Sequence, residues 1–268
     1  EYFQRSLRII DEKPYLLPLT PGSLANIGII YMQQGDYNEA LKIYRRMFKK
    51  FNRNTIIEQY LANAFGNLNQ LDSAIFYFNK AINKAKTLKK PIFEANNLSN
   101  LSLILVKKNK PKEAKIAIEK ALYLIEKYHI KLVANAIYTN AIEVYLLNYE
   151  YNLVEYYANK VLKSPTLRNN VFMQKNIHAT LYDVYKTQKK YEKALKSHEQ
   201  FKRLNDSLTA IDKRIEFTKK DLNFESERKE LLAKAEISNQ KLISKVYLIS
   251  GSVFILIIGL LFFLLLEN

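Results

Sequence analysis

In "SLANIGIIYMQQGDYNEALKIYRRMF", Ser23 to Phe48, apolar positions step by three or four through Leu24, Ile27 and Tyr31, and again through Ala40, Tyr44 and Met47. That interval gathers side chains on one helix face, so the stretch predicts two amphipathic helices. Gly35 and Asp36 interrupt both patterns and read as the turn between them. With only 6 Gly and 6 Pro in 268 residues there is little punctuation for strands and hairpins, so the chain is expected to be all-α.

The same frame recurs. A small apolar residue returns at Ala40, Ala74, Ala114, Val154 and Ala194, at spacings of 34, 40, 40 and 40. Nine residues before each stands an aromatic or Leu (Tyr31, Phe65, Leu105, Tyr145, Tyr185). Three before it stands the residue that closes the turn (Tyr37, Leu71, Pro111, Tyr151, Tyr191). Seven after it comes Met47, Ala81, Ala121, Val161 or Phe201. A small residue lets two antiparallel helices approach while the larger one fills the space beside it. One such hairpin cannot bury its own face, so neighbouring hairpins must stack.

The pattern resembles the tetratricopeptide repeat (TPR), with Leu24, Ile27, Gly28, Tyr31, Gly35, Tyr37, Ala40, Tyr44 and Met47 in signature places. Later copies depart from it: Gly28 becomes Ala62, Ser102, Ile142 and Tyr182. The resemblance covers residues 1–205 and implies an α-solenoid of about five repeats plus a partial one. "YFQRSL" at Tyr2 to Leu7 aligns with "YFNKAI" at Tyr77 to Ile82, so the chain is expected to begin inside that incomplete repeat. The spacing of 40 predicts longer helices than the first copy has. Carried over, the family's pattern projects Asn63, Asn67, Asn96, Ser99, Lys107, Thr139, Glu143, Asp183 and Lys186 from the first helix of each repeat into a binding groove. Amides, hydroxyls and mixed charges there suit an extended peptide or protein segment.

Beyond the repeats, residues 206–245 read as a charged helical stalk without Gly or Pro. A heptad passes through Leu208, Ile211, Ile215, Leu222, Leu232 and Ile243, but Thr218, Glu225, Lys229, Glu236 and Asn239 break it. A weak coiled-coil homodimer and a solvated single helix both fit. Between Val246 and Leu266 there is no charge, and 21 residues at about 1.5 Å each span roughly 30 Å, a bilayer core. This run predicts one transmembrane helix, followed by a truncated flank at 267–268.

Charge and chemistry narrow the function. The net charge is +16, with 33 basic against 17 acidic residues in 1–205 and 9 against 8 in 206–245. Excess positive charge invites nucleic acid, but the aromatics fall on the repeat frame and the cluster Lys107 to Lys115 surrounds a turn, so nucleic acid is not expected as a partner. There is no Cys, and His129, His178 and His198 are isolated, so no metal site, no catalytic residue and no cofactor is expected. His198 falls on a repeat-packing place, whereas His129 and His178 read as surface or linker residues.

Repeats joined through a charged helix to one span, rich in Lys and Asn and free of Cys, also resemble the sensor halves of Bacteroidetes-type histidine kinases and LuxR-like regulators. That resemblance implies periplasmic repeats at a bacterial inner membrane, signal transmission through the stalk, and an output domain elsewhere. The alternative is a tail-anchored adaptor with cytoplasmic repeats, favoured by Lys241 and Lys245 before the span.

Overall fold

The computed structural model describes the backbone of residues 21–51, 56–165 and 170–266, and their side chains except at 235, 246, 247 and 249–266. The partial repeat read at the start of the chain, residues 1–20, lies outside the described residues, as does the flank at 267–268. Among those described there are ten helices and no strand. They are α1 (Pro21–Gln34), α2 (Tyr37–Lys50), α3 (Ile57–Asn67), α4 (Leu71–Thr87), α5 (Pro91–Lys107), α6 (Pro111–Lys127), α7 (Ala134–Leu147), α8 (Tyr151–Leu162), α9 (Val171–Thr187) and α10 (Tyr191–Leu266). Two compact units divide the chain, one ending at Leu204 and the other beginning at Asn205.

The first unit is an all-helical solenoid of five helix pairs, α1–α2 through α9 with the start of α10. Each second helix begins at the residue expected to close the turn. The turns share one geometry. Gly35, Asn69, Asn109, Tyr149 and Lys189 adopt positive φ of 80°, 57°, 58°, 59° and 58°. The next N–H reaches back to the carbonyl of the aromatic or Leu that marks the frame, as in Asp36 to Tyr31 (2.9 Å) and Lys190 to Tyr185 (2.8 Å). This is a Schellman closure. The same residue then caps the following helix: the carbonyls of Asp36, Gln70, Lys110, Glu150 and Lys190 accept from Ala40, Ala74, Ala114, Val154 and Ala194. Asp36 alone among these five also caps with its side chain, accepting from the Glu39 N–H at 3.3 Å.

Burial follows the frame. Ala40, Ala74, Ala114 and Val154 are inaccessible and Ala194 nearly so, while Phe65, Leu105, Tyr145 and Tyr185 are buried in the same core. The third repeat's helices have 17 residues each against 14 in the first, as the spacing predicts, but the fourth repeat's have 14 and 12, so helix length alone does not account for the spacing of 40.

In the second to fourth copies the larger residue at Gly28's place is matched by a smaller one sixteen residues later. The pairs read Gly28 with Tyr44, Ala62 with Phe78, Ser102 with Ile118, Ile142 with Ala158, and Tyr182 with His198. As the first member grows, the second generally shrinks. A Cβ on Gly28 would lie 2.2 Å from the Tyr44 ring. Close-packed interiors tolerate such volume-conserving exchanges best. The fifth pair departs from this exchange: both members are large, and His198, expected at a packing place, is exposed, its ring centroid 5.0 Å from that of Tyr182.

In the second unit the stalk, residues 206–245, lies wholly in α10. Ile211, Ile215, Leu222, Leu232 and Ile243 of the heptad are between 46% and 61% exposed. Phe217, Phe224 and Leu231, seven residues apart on a different face, are exposed as well. Residues 246–266 continue the helical backbone of α10, but apart from Leu248 their side chains, and so the span read from them, lie outside the described residues. Among the described residues, no helix is long and apolar enough to cross a membrane.

Candidate functional site

The first helices of four repeats carry the nine residues projected from the sequence. On α3, Asn67 is exposed and its amide donates to the Asn63 carbonyl at 2.9 Å, a local helix contact. On α5, Asn96 is half-buried and Lys107 exposed, whereas Ser99 is only 1% exposed. The Ser99 hydroxyl accepts from the Asn140 amide on α7 at 2.9 Å and its carbonyl from the Ser102 hydroxyl at 2.7 Å. Ser99 therefore ties two first helices together, and its polar atoms are engaged. On α9, Asp183 is exposed, and the Lys186 ammonium lies 5.9 Å over the Tyr182 ring.

Thr139 and Glu143 alone among the nine share a cleft. It lies between α7 and α9, with a volume of about 320 Å³. Ile142 and Leu146 of α7 face Phe172, Met173 and Ile177 of α9, and Asn170, Asn176 and Thr180 add polar atoms at its edges. The Thr139 hydroxyl donates to the Asn135 carbonyl at 2.9 Å and lies 4.0 Å from the Met173 sulfur. Asn170 caps α9, its side chain accepting from the Met173 N–H at 2.9 Å, which fixes where Phe172 and Met173 emerge. Phe172 is 60% exposed, with the Lys175 ammonium 5.2 Å over its ring. Among the described residues, Glu143 is the one charged residue lining the cleft. Of the lining residues missed in the sequence, Asn176 carried a signal: it stands two repeats after Asn96, at the same place in the frame.

A second cleft of about 320 Å³ lies between α4, α5 and α6, floored by Leu98, Leu101 and Leu105. None of the nine residues lines it, and its rim lysine Lys86 is 3.8 Å from Glu94.

Elsewhere in the repeats, most of the described carboxylates hold a lysine. Lys108 pairs with Asp72, Lys110 with Glu113 at 2.6 Å, and Lys115 with Glu150, so three of the five lysines of the cluster at the α5–α6 turn are matched by carboxylates. Glu155 holds both Lys193 (2.7 Å) and Lys190 (3.5 Å). The hydrogen bond from Lys193 keeps its carboxyl below the usual range, reinforced by Tyr185 and the Lys190 charge. Burial, then the Glu155 contact, pushes the Tyr185 hydroxyl up to about 12. His178 is half-buried rather than a surface residue, and burial followed by the Arg203 charge holds its imidazole below the usual value. Among the described residues no group of three His, Asp or Glu could hold a metal ion.

Three segments, residues 23–47, 61–83 and 95–128, match the tetratricopeptide repeat family. No curated protein matches the chain. Among solved structures it is similar to BtubC (BKLC) from P. vanneervenii, at 16% identity and TM-score 0.60, over 77% of this chain and 88% of that one. It is also similar to nearly identical TPR-like repeats from Podosopora anserina, at 14% identity and TM-score 0.56, over 71% and 98%. A tetratricopeptide repeat protein from Parabacteroides merdae aligns at 18% identity and TM-score 0.51, over 74% and 70%. At such identities the likeness establishes the fold, an all-helical array containing tetratricopeptide repeats.

Proposed function

We propose that the repeats hold an extended peptide or protein segment on the face of their first helices, and that residues 246–266 anchor the chain in a membrane. The observation that carries the binding role is the cleft between α7 and α9, where successive first helices leave an apolar floor edged by amides and hydroxyls. Such a surface can accept side chains while satisfying a peptide backbone. The anchor rests on the uncharged length of the run, which suits a bilayer core. No catalysis and no cofactor enter this reading.

The binding test is selection of random twelve-residue peptides on the full chain in detergent, followed by affinity measurement on Asn176→Trp. Asn176 is exposed and lines the cleft, so the indole fills it without disturbing the core. Peptides that bind the native chain and lose affinity for the filled variant are the expected result; no bound peptide, or equal affinity, overturns the groove reading.

The fuller reading makes the chain the sensory input of a bacterial signalling or transcription regulator, with periplasmic repeats and a stalk that pairs two copies. Its support is the exposed heptad of α10. Because the sequence has no Cys, single cysteines placed from Leu208 to Ile243 report pairing by disulfide formation. Crosslinks recurring every three and four residues are expected, and their absence removes the dimer. Lys241 and Lys245 favour the second reading, an adaptor with cytoplasmic repeats. A cysteine at exposed Asn67, labelled by an impermeant maleimide in intact spheroplasts, decides for the periplasmic orientation; labelling only after lysis decides for the cytoplasmic one.

A further inference from the structure

Nine carboxylates of the repeats, Glu39, Glu58, Asp72, Glu94, Glu113, Glu119, Glu150, Glu155 and Glu192, are each bridged by a lysine. In so basic a chain that is the expected outcome, since cations outnumber acids about two to one over residues 1–205. Glu143 and Asp183 depart from it. Both are exposed, and among the described residues neither has an ion-pair partner. The other repeat carboxylates without a lysine at contact, Asp36, Glu126 and Glu199, stand in a turn or on second helices. Glu143 and Asp183 stand on first helices, one repeat apart at the same register position. Lys186, three residues after Asp183, lies over the Tyr182 ring instead of on the carboxylate.

We propose that the α7–α9 cleft recognises a peptide segment in which an apolar side chain is next to a lysine or arginine. The apolar side chain enters between Ile142, Met173 and Ile177, and the cation meets Glu143, with Asp183 extending the acidic track along the next first helix. The proposal rests on the groove reading and adds the chemistry of its occupant. An apolar floor supplies affinity but little selection, whereas an unneutralised carboxylate beside it discriminates by charge at contact. The same carboxylates repel acidic segments, so selection works in both directions.

The peptides selected on the full chain test this. They are expected to be enriched in Leu, Ile, Met or Phe with Lys or Arg within two residues, and to bind the double variant Glu143→Gln, Asp183→Asn roughly tenfold more weakly at low salt. Glu143→Lys is expected to reverse the charge preference of a fresh selection. These side chains are exposed, and circular dichroism and thermal melting of each variant establish that it is folded. Peptides without that pairing, or unchanged affinity in the double variant while Asn176→Trp abolishes binding, overturn the proposed chemistry and leave the groove standing. Binding unaffected by Asn176→Trp overturns both.

Discussion

The repeats and the stalk use apolar residues in similar helical rhythms and reach opposite outcomes. In the repeats Leu24, Phe78 and Ile118 are 0–1% exposed, whereas along the stalk Ile215, Phe217 and Phe224 are 48–69% exposed. Local periodicity is common to both. The repeats add a second, long-range periodicity that brings each hairpin a neighbour with a complementary face. The stalk adds ion pairs one turn apart, Lys220 with Glu216 at 2.9 Å and Lys234 with Glu230 at 2.7 Å. Each is worth only about 0.3–0.5 kcal/mol on an exposed helix. Core burial therefore governs one region and helix propensity the other.

The largest contrast should come from truncating an aromatic in each. Phe78→Ala is expected to cost about 3–5 kcal/mol in chemical denaturation, because the cavity forms inside a packed array. Phe217→Ala should change the repeats' stability by less than about 0.5 kcal/mol. A large loss from the stalk variant would mean that this face packs against something.

The paired positions give the next effect. Gly28→Ala should cost about 1–3 kcal/mol, since the new methyl meets the Tyr44 ring. Gly66→Ala meets only the mobile end of Ile104, at 2.6 Å, and should cost less. Pairing Gly28→Ser with Tyr44→Ile reproduces the third repeat's Ser102 and Ile118 and removes the ring itself, and that double variant should be less destabilised than the sum of its parts. Strict additivity would refute the compensation.

Glycine should act with opposite sign in the two regions. Lys189→Gly places glycine at φ 58° and should stabilise the repeats by about 0.5–1 kcal/mol. Ser226→Gly in the stalk interior should lower helicity, at about 0.5 kcal/mol. The smallest effect concerns His178, whose folded-state pKa is depressed by burial and Arg203. The unfolded chain then binds the proton more readily, so stability should be constant above the ordinary imidazole range and fall as pH drops through it towards the lower folded value. Melting temperatures between pH 8 and 5, compared with His178→Gln, measure this; equal slopes would remove the assignment.

Much of this fold was legible because the spacing of small and large residues is what packing constrains. The first residue of every second helix could be read from the frame. The turns were less visible, since only Gly35 announces positive φ and Asn69, Asn109, Tyr149 and Lys189 adopt it under the pressure of the Schellman closure. The degeneration of Gly28's place reads as weakening in the sequence, whereas in the second to fourth copies the residue sixteen positions on changes in the opposite direction. At the cleft, Thr139 and Glu143 stand at positions that the repeat register alone marks on α7. Ser99 could not, because its burial depends on Asn140, forty-one residues away. His178 was misread for a related reason: Arg203 approaches it from a different helix.

The doubled role of Asp36, Gln70, Lys110, Glu150 and Lys190, which end one helix and begin the next, leaves these hairpin turns no slack. The interval from the framing aromatic or Leu to the small residue is nine in every copy, and the change in repeat length falls outside it. Insertions, deletions and engineered new termini should accordingly be tolerated between hairpins and rejected within them. The array can grow by whole modules, but each module is indivisible at its bend.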